Sequence, residues 1–266
     1  MKRHLALLAM LALPALSWGA CSRVMQAPVS GLGQVIIVDG RNVGGLYPDL
    51  FRSLGEKAGC EIRFSAVPRA RQEALFETGK SDLLVTAART PRRDRHGYFV
   101  PILGVRAALV SFDSNHATIK SMDELAERKN LRVALVRGVD YGESYQALAR
   151  QLAKQGRLFY EADVVGVARL LNAGFADVTI MTPTSMAGGM MQDERVKPLI
   201  DRLRIELLDD LPWSESGIYI SKTTVRASDR VQLEYMINTA VKAGQFWEGV
   251  KQHYPPAAVE GTLRQH

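Results

Sequence analysis

Hydrophobic positions in this chain follow two rhythms. Short apolar runs bounded by polar turns predict buried strands, and apolar residues three or four apart predict helices packed by one face. Arg23 to Val29 and Val35 to Val38 read as strands, and Asp39-Gly40-Arg41-Asn42 is a hairpin-type turn. Leu50, Leu54 and Ala58 mark the apolar face of a helix over 49–58, and Gly59 ends it. Glu61 to Val67 is the next strand. Pro68 opens a second helix at a position where its missing N–H costs nothing, with Ala70, Ala74 and Leu75 toward the core and Gly79 as the stop. Leu83 to Val85 is again a strand. Strand, helix, strand, helix, strand predicts an α/β fold.

The rhythm then repeats. Val105 to Phe112 is strand-like. Met122 to Glu127 is a brief helix, with Ser121 as N-cap and Glu124 completing a capping box. Strands at 131–136, 157–160 and 176–181 alternate with helices at 143–154 and 164–172. The layout occurs twice without a sequence repeat, so two lobes with a cleft between them are expected. Ser185 to Met191, rich in Met and Gly, reads as a helical packing segment because no His or Cys stands beside it. Strands at 204–208 and 217–221 follow, then a helix over 229–243 with Leu233, Met236, Ile237 and Ala240 on one side. Phe246, Trp247 and Val250 lead to a last helix that Pro255-Pro256 stops, and the final ten residues are expected to be a mobile tail.

The first residues belong to a different account. Lys2, Arg3 and His4 precede an apolar run from Leu5 to Leu16 and then Ser17-Trp18-Gly19. This is the pattern of a secretory signal peptide over 1–19, too short for a comfortable membrane span, and it predicts a periplasmic protein. The chain has 266 residues, 47% of them hydrophobic, enough for two lobes of ordinary size. Lys+Arg is 34 against Asp+Glu 28, a net charge of +6 that includes Lys2 and Arg3. So small an excess favours anionic ligands near a cleft and argues against nucleic acid. Cys21 sits where a lipoprotein cysteine would sit, but Trp18 occupies the place a lipobox gives to leucine. The preferred alternative is a disulfide to Cys60, the other of two cysteines, which an oxidising compartment permits.

Candidate chemistry concentrates between Asp82 and Pro101, where a buried strand opens into a cluster of arginines. In open α/β sheets ligands sit beyond the carboxyl ends of strands, and a guanidinium fork suits a carboxylate. Arg93 or a close neighbour is therefore the expected anion anchor. Arg69 and Arg71 open the second helix, an end whose dipole prefers anions; they are either solvated or line the same cleft. Tyr47 and Tyr141 read as cleft aromatics or as packing, and Trp213 as core or hinge packing. Asp94 and His96 form the one acid–base pair near the cleft, but no Ser-His-Asp spacing, zinc motif or phosphate loop stands out. No catalytic residue, cofactor or metal is assigned.

Five strings, Gly45-Leu46-Tyr47-Pro48-Asp49, Lys80-Ser81-Asp82, Thr90-Pro91-Arg92-Arg93, Ser121-Met122-Asp123-Glu124-Leu125 and Asn172-Ala173-Gly174-Phe175-Ala176-Asp177, occur in order along the chain. In that order and spacing they resemble family 3 of the bacterial periplasmic solute-binding proteins, which includes the polar amino acid receptors of ABC transporters. The resemblance spans most of the chain after the leader. It implies a two-lobed, type II periplasmic-binding-protein-like fold that closes like a hinged clamp. Lobe 1 would comprise 20–103, lobe 2 would comprise 104–221, and 222–266 would return to lobe 1. It further implies a monomer that delivers a small solute to an inner-membrane permease.

The same resemblance implies that Arg93 grips the ligand's α-carboxylate. The loop after the first strand, with Ser30, and Thr86 to Arg89 would complete the first-lobe pocket, and Arg137 to Asp140 with Thr182 would supply the second-lobe side. The departures matter. The family's glycine-serine-threonine loop is here Gly138-Val139-Asp140, and its acidic partner for the ligand's ammonium group is here Thr182. Threonine can hydrogen-bond but cannot neutralise an ammonium. Asp140 is one replacement, unless it pairs with Arg137. Arg89 adds a second guanidinium where the family has a small or hydroxylated residue, so dicarboxylates, sulfonates and other organic anions join amino acids as expected ligands. Two other functions carry over from proteins of this fold: ligand sensing for a membrane receptor, and a lyase acting on a cyclic carboxylic acid.

Overall fold

Met25, Ala27 and Val29 have no solvent exposure, which makes β1 (Met25–Val29) an inner strand of the first lobe. The computed structural model describes residues 20–112 and 116–266, so the expected signal peptide at 1–19 lies outside the described residues. The hairpin of β2 (Ile37–Asp39) and β3 (Asn42–Gly44) forms where the turn residues place it. α1 (Leu46–Ala58) ends on Gly59, which takes the left-handed conformation at φ 66°. β4 (Ile62–Ala66) pairs in parallel with β1. In α2 (Arg69–Glu77) the buried residues are Gln72 and Phe76, whereas Ala70 and Ala74, expected toward the core, are exposed. The larger Phe76 takes the core position, joining Leu84, Ala87 and Tyr219.

β5 (Leu83–Ala88), the short helix α3 (Pro91–Asp94) and β6 (Gly97–Val105) complete the first pass through this lobe. β6 begins well before the strand expected at Val105. Pro101 inside the run reads against a strand, but it sits opposite Gly217, where the partner strand has a register shift that accommodates it. The chain crosses into the second lobe at β7 (Ala108–Phe112). There α4 (Met122–Glu127), β8 (Val133–Val136), α5 (Glu143–Lys154), β9 (Leu158–Glu161), α6 (Val164–Asn172), β10 (Val178–Met181) and α7 (Pro183–Met190) follow the expected alternation. After a 3-10 turn, β11 (Leu203–Glu206) closes a five-stranded sheet of order β11-β7-β10-β8-β9.

β12 (Ser214–Ser221) then returns to the first lobe, pairing antiparallel with both β5 and β6. The strand expected at 217–221 as the end of lobe 2 thus belongs to the other sheet. α8 (Ala227–Lys242) and α9 (Gln245–His253) pack on the first-lobe core with Leu233, Ile237 and Phe246. The last residues are not a loose tail: α10 (Pro256–Val259) leads into β13 (Leu263–Gln265), which pairs with β6, and Thr262 is fully buried. The free edge of β6 offers this pairing, a long-range opportunity that composition does not display.

Arg106 ties the crossings together. Its Nε and Nη2 donate to the carbonyls of Leu211 (2.9 Å) and Leu208 (2.8 Å), on the returning chain, and its own N–H donates to Thr262 O (2.8 Å). The Cys21–Cys60 disulfide forms, with a Cα–Cα distance of 4.7 Å, so the Cys21 sulfur is not free to carry a lipid.

Candidate functional site

At the carboxyl end of β5 the chain is held by local chemistry that the sequence displays. Thr90 caps α3, its Oγ1 accepting from the N–H of Arg93 (3.3 Å), and Pro91 opens the first turn. Tyr219 of the neighbouring strand fixes the same loop, accepting from Thr90 N–H (3.0 Å) and donating to Asp94 Oδ1 (2.8 Å). Thr86, within β5, is the one described non-glycine residue in the left-handed region, at φ 57°. Its hydroxyl donates to Val85 O (2.7 Å). Such strain costs about 1–3 kcal/mol and concentrates where a ligand site dictates backbone shape.

Arg93 is side-chain buried to 18% exposure and is fully engaged within the protein. Its Nε and Nη2 donate to the two carboxylate oxygens of Glu73, at 3.1 and 2.6 Å, and Nη1 donates to Ala88 O at 2.7 Å. Glu73, on α2, is the residue that the sequence reading missed. Arg69 Nη2 donates to the same carboxylate (2.9 Å), and Arg69 Nη1 donates to Gln72 Oε1 (3.3 Å). Desolvation lowers the Arg69 guanidinium from its ordinary value; Glu73 pulls it up and Arg93 pushes it down. Gln72 extends the cluster, accepting from Ser30 Oγ (3.1 Å) and donating to Val85 O (3.2 Å). Ser30, Arg69, Thr86 and Arg93 are therefore brought together at the ends of β1 and β5, with Gln72 and Glu73 between them. The signal for Glu73 was present as the i,i+4 spacing from Arg69 on one helix face.

Other expected site residues fall elsewhere. Tyr47 is 3% exposed, edge-on to Phe51 and Phe246 in the first-lobe core, with its phenol pKa raised by burial. It follows the α1 face inward instead of lining a cleft. Arg89 shares no partner with Arg93. It lies over the Phe99 ring, near Asp94 and Glu215, and lines a shallow depression of about 350 Å³ with Tyr98, Lys222 and Glu234. All of these belong to the first lobe. Asp94, the acid of the candidate acid–base pair, is taken by Tyr219 and Arg89.

On the second lobe, Gly138 (φ 81°) and Asp140 lie in an exposed turn after β8, and Asp140 Oδ1 accepts from Gly142 N–H (2.8 Å) at the start of α5. Thr182 caps the approach to α7; its N–H donates to Tyr141 Oη (3.3 Å) and its hydroxyl bonds Ser185 Oγ (2.7 Å). Burial pushes the Tyr141 phenol to about 12, so it stays protonated at neutral pH. Lobe meets lobe at α7: Gln192 Nε2 donates to Gly33 O (2.8 Å), and a Cβ on Gly188 would lie 2.7 Å from Gly33 Cα. This close approach explains Gly188 in a segment that the sequence marks only as packing, whereas Gly189 is kept small by Val164 of α6.

Among the described residues no group of three or more His, Cys, Asp or Glu is placed to hold a metal ion. No protein-family model matches the chain, and no curated protein matches it. Solved structures do. An amino acid ABC transporter substrate-binding protein from Streptococcus pneumoniae, bound to L-arginine, superposes with a TM-score of 0.67 at 17% identity, covering 89% of this chain and 96% of its own. A putative L-cystine ABC transporter protein from Listeria monocytogenes superposes at 0.66 with 17% identity, covering 90% of this chain and 99% of its own. A histidine kinase sensor domain with similarity to periplasmic binding proteins superposes at 0.65 with 18% identity, covering 87% and 96%. The fold is thus the two-lobed α/β fold of periplasmic binding proteins.

Proposed function

We propose that this protein is an exported, non-catalytic receptor that captures a small carboxylate-bearing solute between its lobes and delivers it to an ABC-type permease. The observation that carries this reading is Arg93. Its guanidinium fork stands at the carboxyl end of β5, shielded, and already grips a carboxylate through two hydrogen bonds. That is the geometry a carboxylate ligand needs, at the sheet edge where ligands of α/β folds bind. On the opposite lobe, the resemblance assigns Thr182 to the second half of the pocket, and its N–H is bonded to Tyr141 Oη. The disulfide fits an oxidising compartment. Of the two transporter-associated structural neighbours, one is named as bound to L-arginine and the other as an L-cystine ABC transporter.

The test is a melting screen of the purified protein against amino acids, dicarboxylates, sulfonates and cyclic organic acids, followed by calorimetry of the hits, since a ligand that binds only the folded state raises apparent stability. Arg93→Ala should weaken a carboxylate hit by about 2–5 kcal/mol, the cost of truncating one partner of a buried charge pair. Affinity equal to the wild type would reject Arg93 as the anchor. The sensor-domain neighbour supports a second reading, in which the loaded protein is read by a membrane receptor instead of a permease. Co-purification of the loaded protein with permease subunits against sensor kinases separates the two.

A further inference from the structure

The charges around the proposed anchor do not cancel. Arg69 and Arg93 share one carboxylate, Glu73, and among the described residues no other carboxylate bonds either guanidinium. Two cations against one anion leave an excess of one positive charge. The neighbouring Ser30, Gln72 and Thr86 are neutral. The second-lobe residues that the resemblance assigns to the pocket hold one acid, Asp140, and it is exposed with Oδ1 on its own loop; Thr182 is neutral, its hydroxyl on Ser185 Oγ. Resting on the carboxylate-receptor reading, we infer that the site takes amine-free carboxylates of one net negative charge and rejects α-amino acids.

Nε and Nη2 of Arg93 are taken by Glu73 and Nη1 by Ala88 O, so a ligand carboxylate reaches the fork by displacing Glu73. A displaced carboxylate in a shielded site is costly unless another cation meets it. Arg69 is that cation. It stands four residues before Glu73 on α2, on the same helix face, and already donates Nη2 to Oε1 at 2.9 Å. The ligand and Arg93 then form one neutral pair, and Glu73 and Arg69 form the other. A monocarboxylate completes this arrangement. An α-ammonium would enter beside Arg93 with no acid left to meet it. Ser30 Oγ, Thr86 Oγ1 and main-chain carbonyls can accept its hydrogen bonds but cannot neutralise it. Turning Glu73 toward the ammonium moves the deficit to Arg69. A zwitterion adds no net charge, so one cation stays uncompensated whichever way Glu73 turns.

The experiment uses the whole disulfide-bonded protein and probes matched at the α-carbon: L-leucine, L-2-hydroxy-4-methylpentanoate and 4-methylpentanoate, and likewise L-phenylalanine, L-3-phenyllactate and 3-phenylpropanoate. Calorimetry on the wild type should show the amine-free acid bound at least about tenfold tighter than the amino acid in whichever set binds. The hydroxy acid, which keeps a hydrogen-bonding group at the α-carbon without its charge, should side with the amine-free acid. Arg69→Gln makes the cluster neutral and leaves the displaced Glu73 with the ammonium as its nearest cation, so the preference should shrink about tenfold or reverse. Arg69→Lys keeps the charge and should keep the preference. An amino acid bound as tightly as its amine-free counterpart, a hydroxy acid rejected along with the amino acid, or a preference untouched by Arg69→Gln would each overturn the charge argument while the receptor reading stands. If no probe binds, the carboxylate-receptor reading itself fails, and this inference with it. Should Arg69→Gln not fold, the wild-type order of the three probes and Arg69→Lys decide the question.

Discussion

Asp82 offers the most direct test of how the first lobe is held together. Its side chain is 4% exposed and receives three hydrogen bonds: Arg23 Nη1 (2.7 Å), Arg23 Nη2 (2.6 Å) and the N–H of Gln26 (2.7 Å). Arg23 Nη2 also donates to Thr224 O (2.9 Å), so one carboxylate links the start of β1, the start of β5 and the chain after β12. Asp82→Asn keeps the shape but removes the charge and half of the bidentate geometry. Breaking a buried pair costs about 3–5 kcal/mol. Arg23, however, is 44% exposed and regains water when released, so the discounted expectation is about 2 kcal/mol. The pH dependence gives an independent check. Burial alone would raise the Asp82 pKa, but the Arg23 and Gln26 hydrogen bonds outweigh it and the folded value is lowered. A carboxylate depressed by folding contributes stability that is complete above its unfolded value, about 4, and is lost as pH falls through the folded one. Urea unfolding of wild type and Asp82→Asn should therefore differ by about 2 kcal/mol at pH 7 and converge toward pH 3, with m unchanged. A difference below about 0.5 kcal/mol at pH 7, or one as large at pH 3 as at pH 7, would refute the anchoring argument.

Two further predictions concern the scaffold. Cys21 and Cys60 are 39 residues apart, for which loop closure in the unfolded chain is worth about 4 kcal/mol; Cys60→Ser or a reductant should lower the melting temperature accordingly, and an unaffected melt would reject the disulfide as a stabilising link. Gly188→Ala would place a Cβ 2.7 Å from Gly33 Cα and 3.0 Å from Tyr254 Oη; overpacking of this kind costs about 1–3 kcal/mol and should change the lobe disposition seen by small-angle scattering, whereas a melt and scattering profile identical to wild type would show that the lobes do not depend on this contact.

The two lobes could be read in advance because each α/β unit writes its own local signals. Glu143–Lys154 and Val164–Asn172 match their helices residue for residue, since apolar spacing and N-terminal caps are set within a few residues. Asp163 caps the second of these through Gly166 N–H (2.8 Å). The position of Arg93 was equally legible, because Thr90 and Pro91 mark the start of α3 locally, and Tyr219 from the distant β12 only reinforces it. The arginine's partner was not. Glu73 lies 20 residues earlier, and only the packing of α2 beside β5 turns it toward Arg93.

The amino-acid sequence by itself thus determined the alternation of strands and helices, the two cysteines available to pair, and the arginine at the end of β5. Tertiary structure alone decided that β12 joins the first sheet and that the last residues form β13, because strand pairing is a choice among edges far apart in the chain. It likewise sent Tyr47 into the core and Arg89 away from Arg93. Hydrogen-bonding capacity is a property of each residue type, but which groups share a fork depends on how two helices and a sheet come to rest against one another. The Arg69–Glu73–Arg93 cluster is of that second kind.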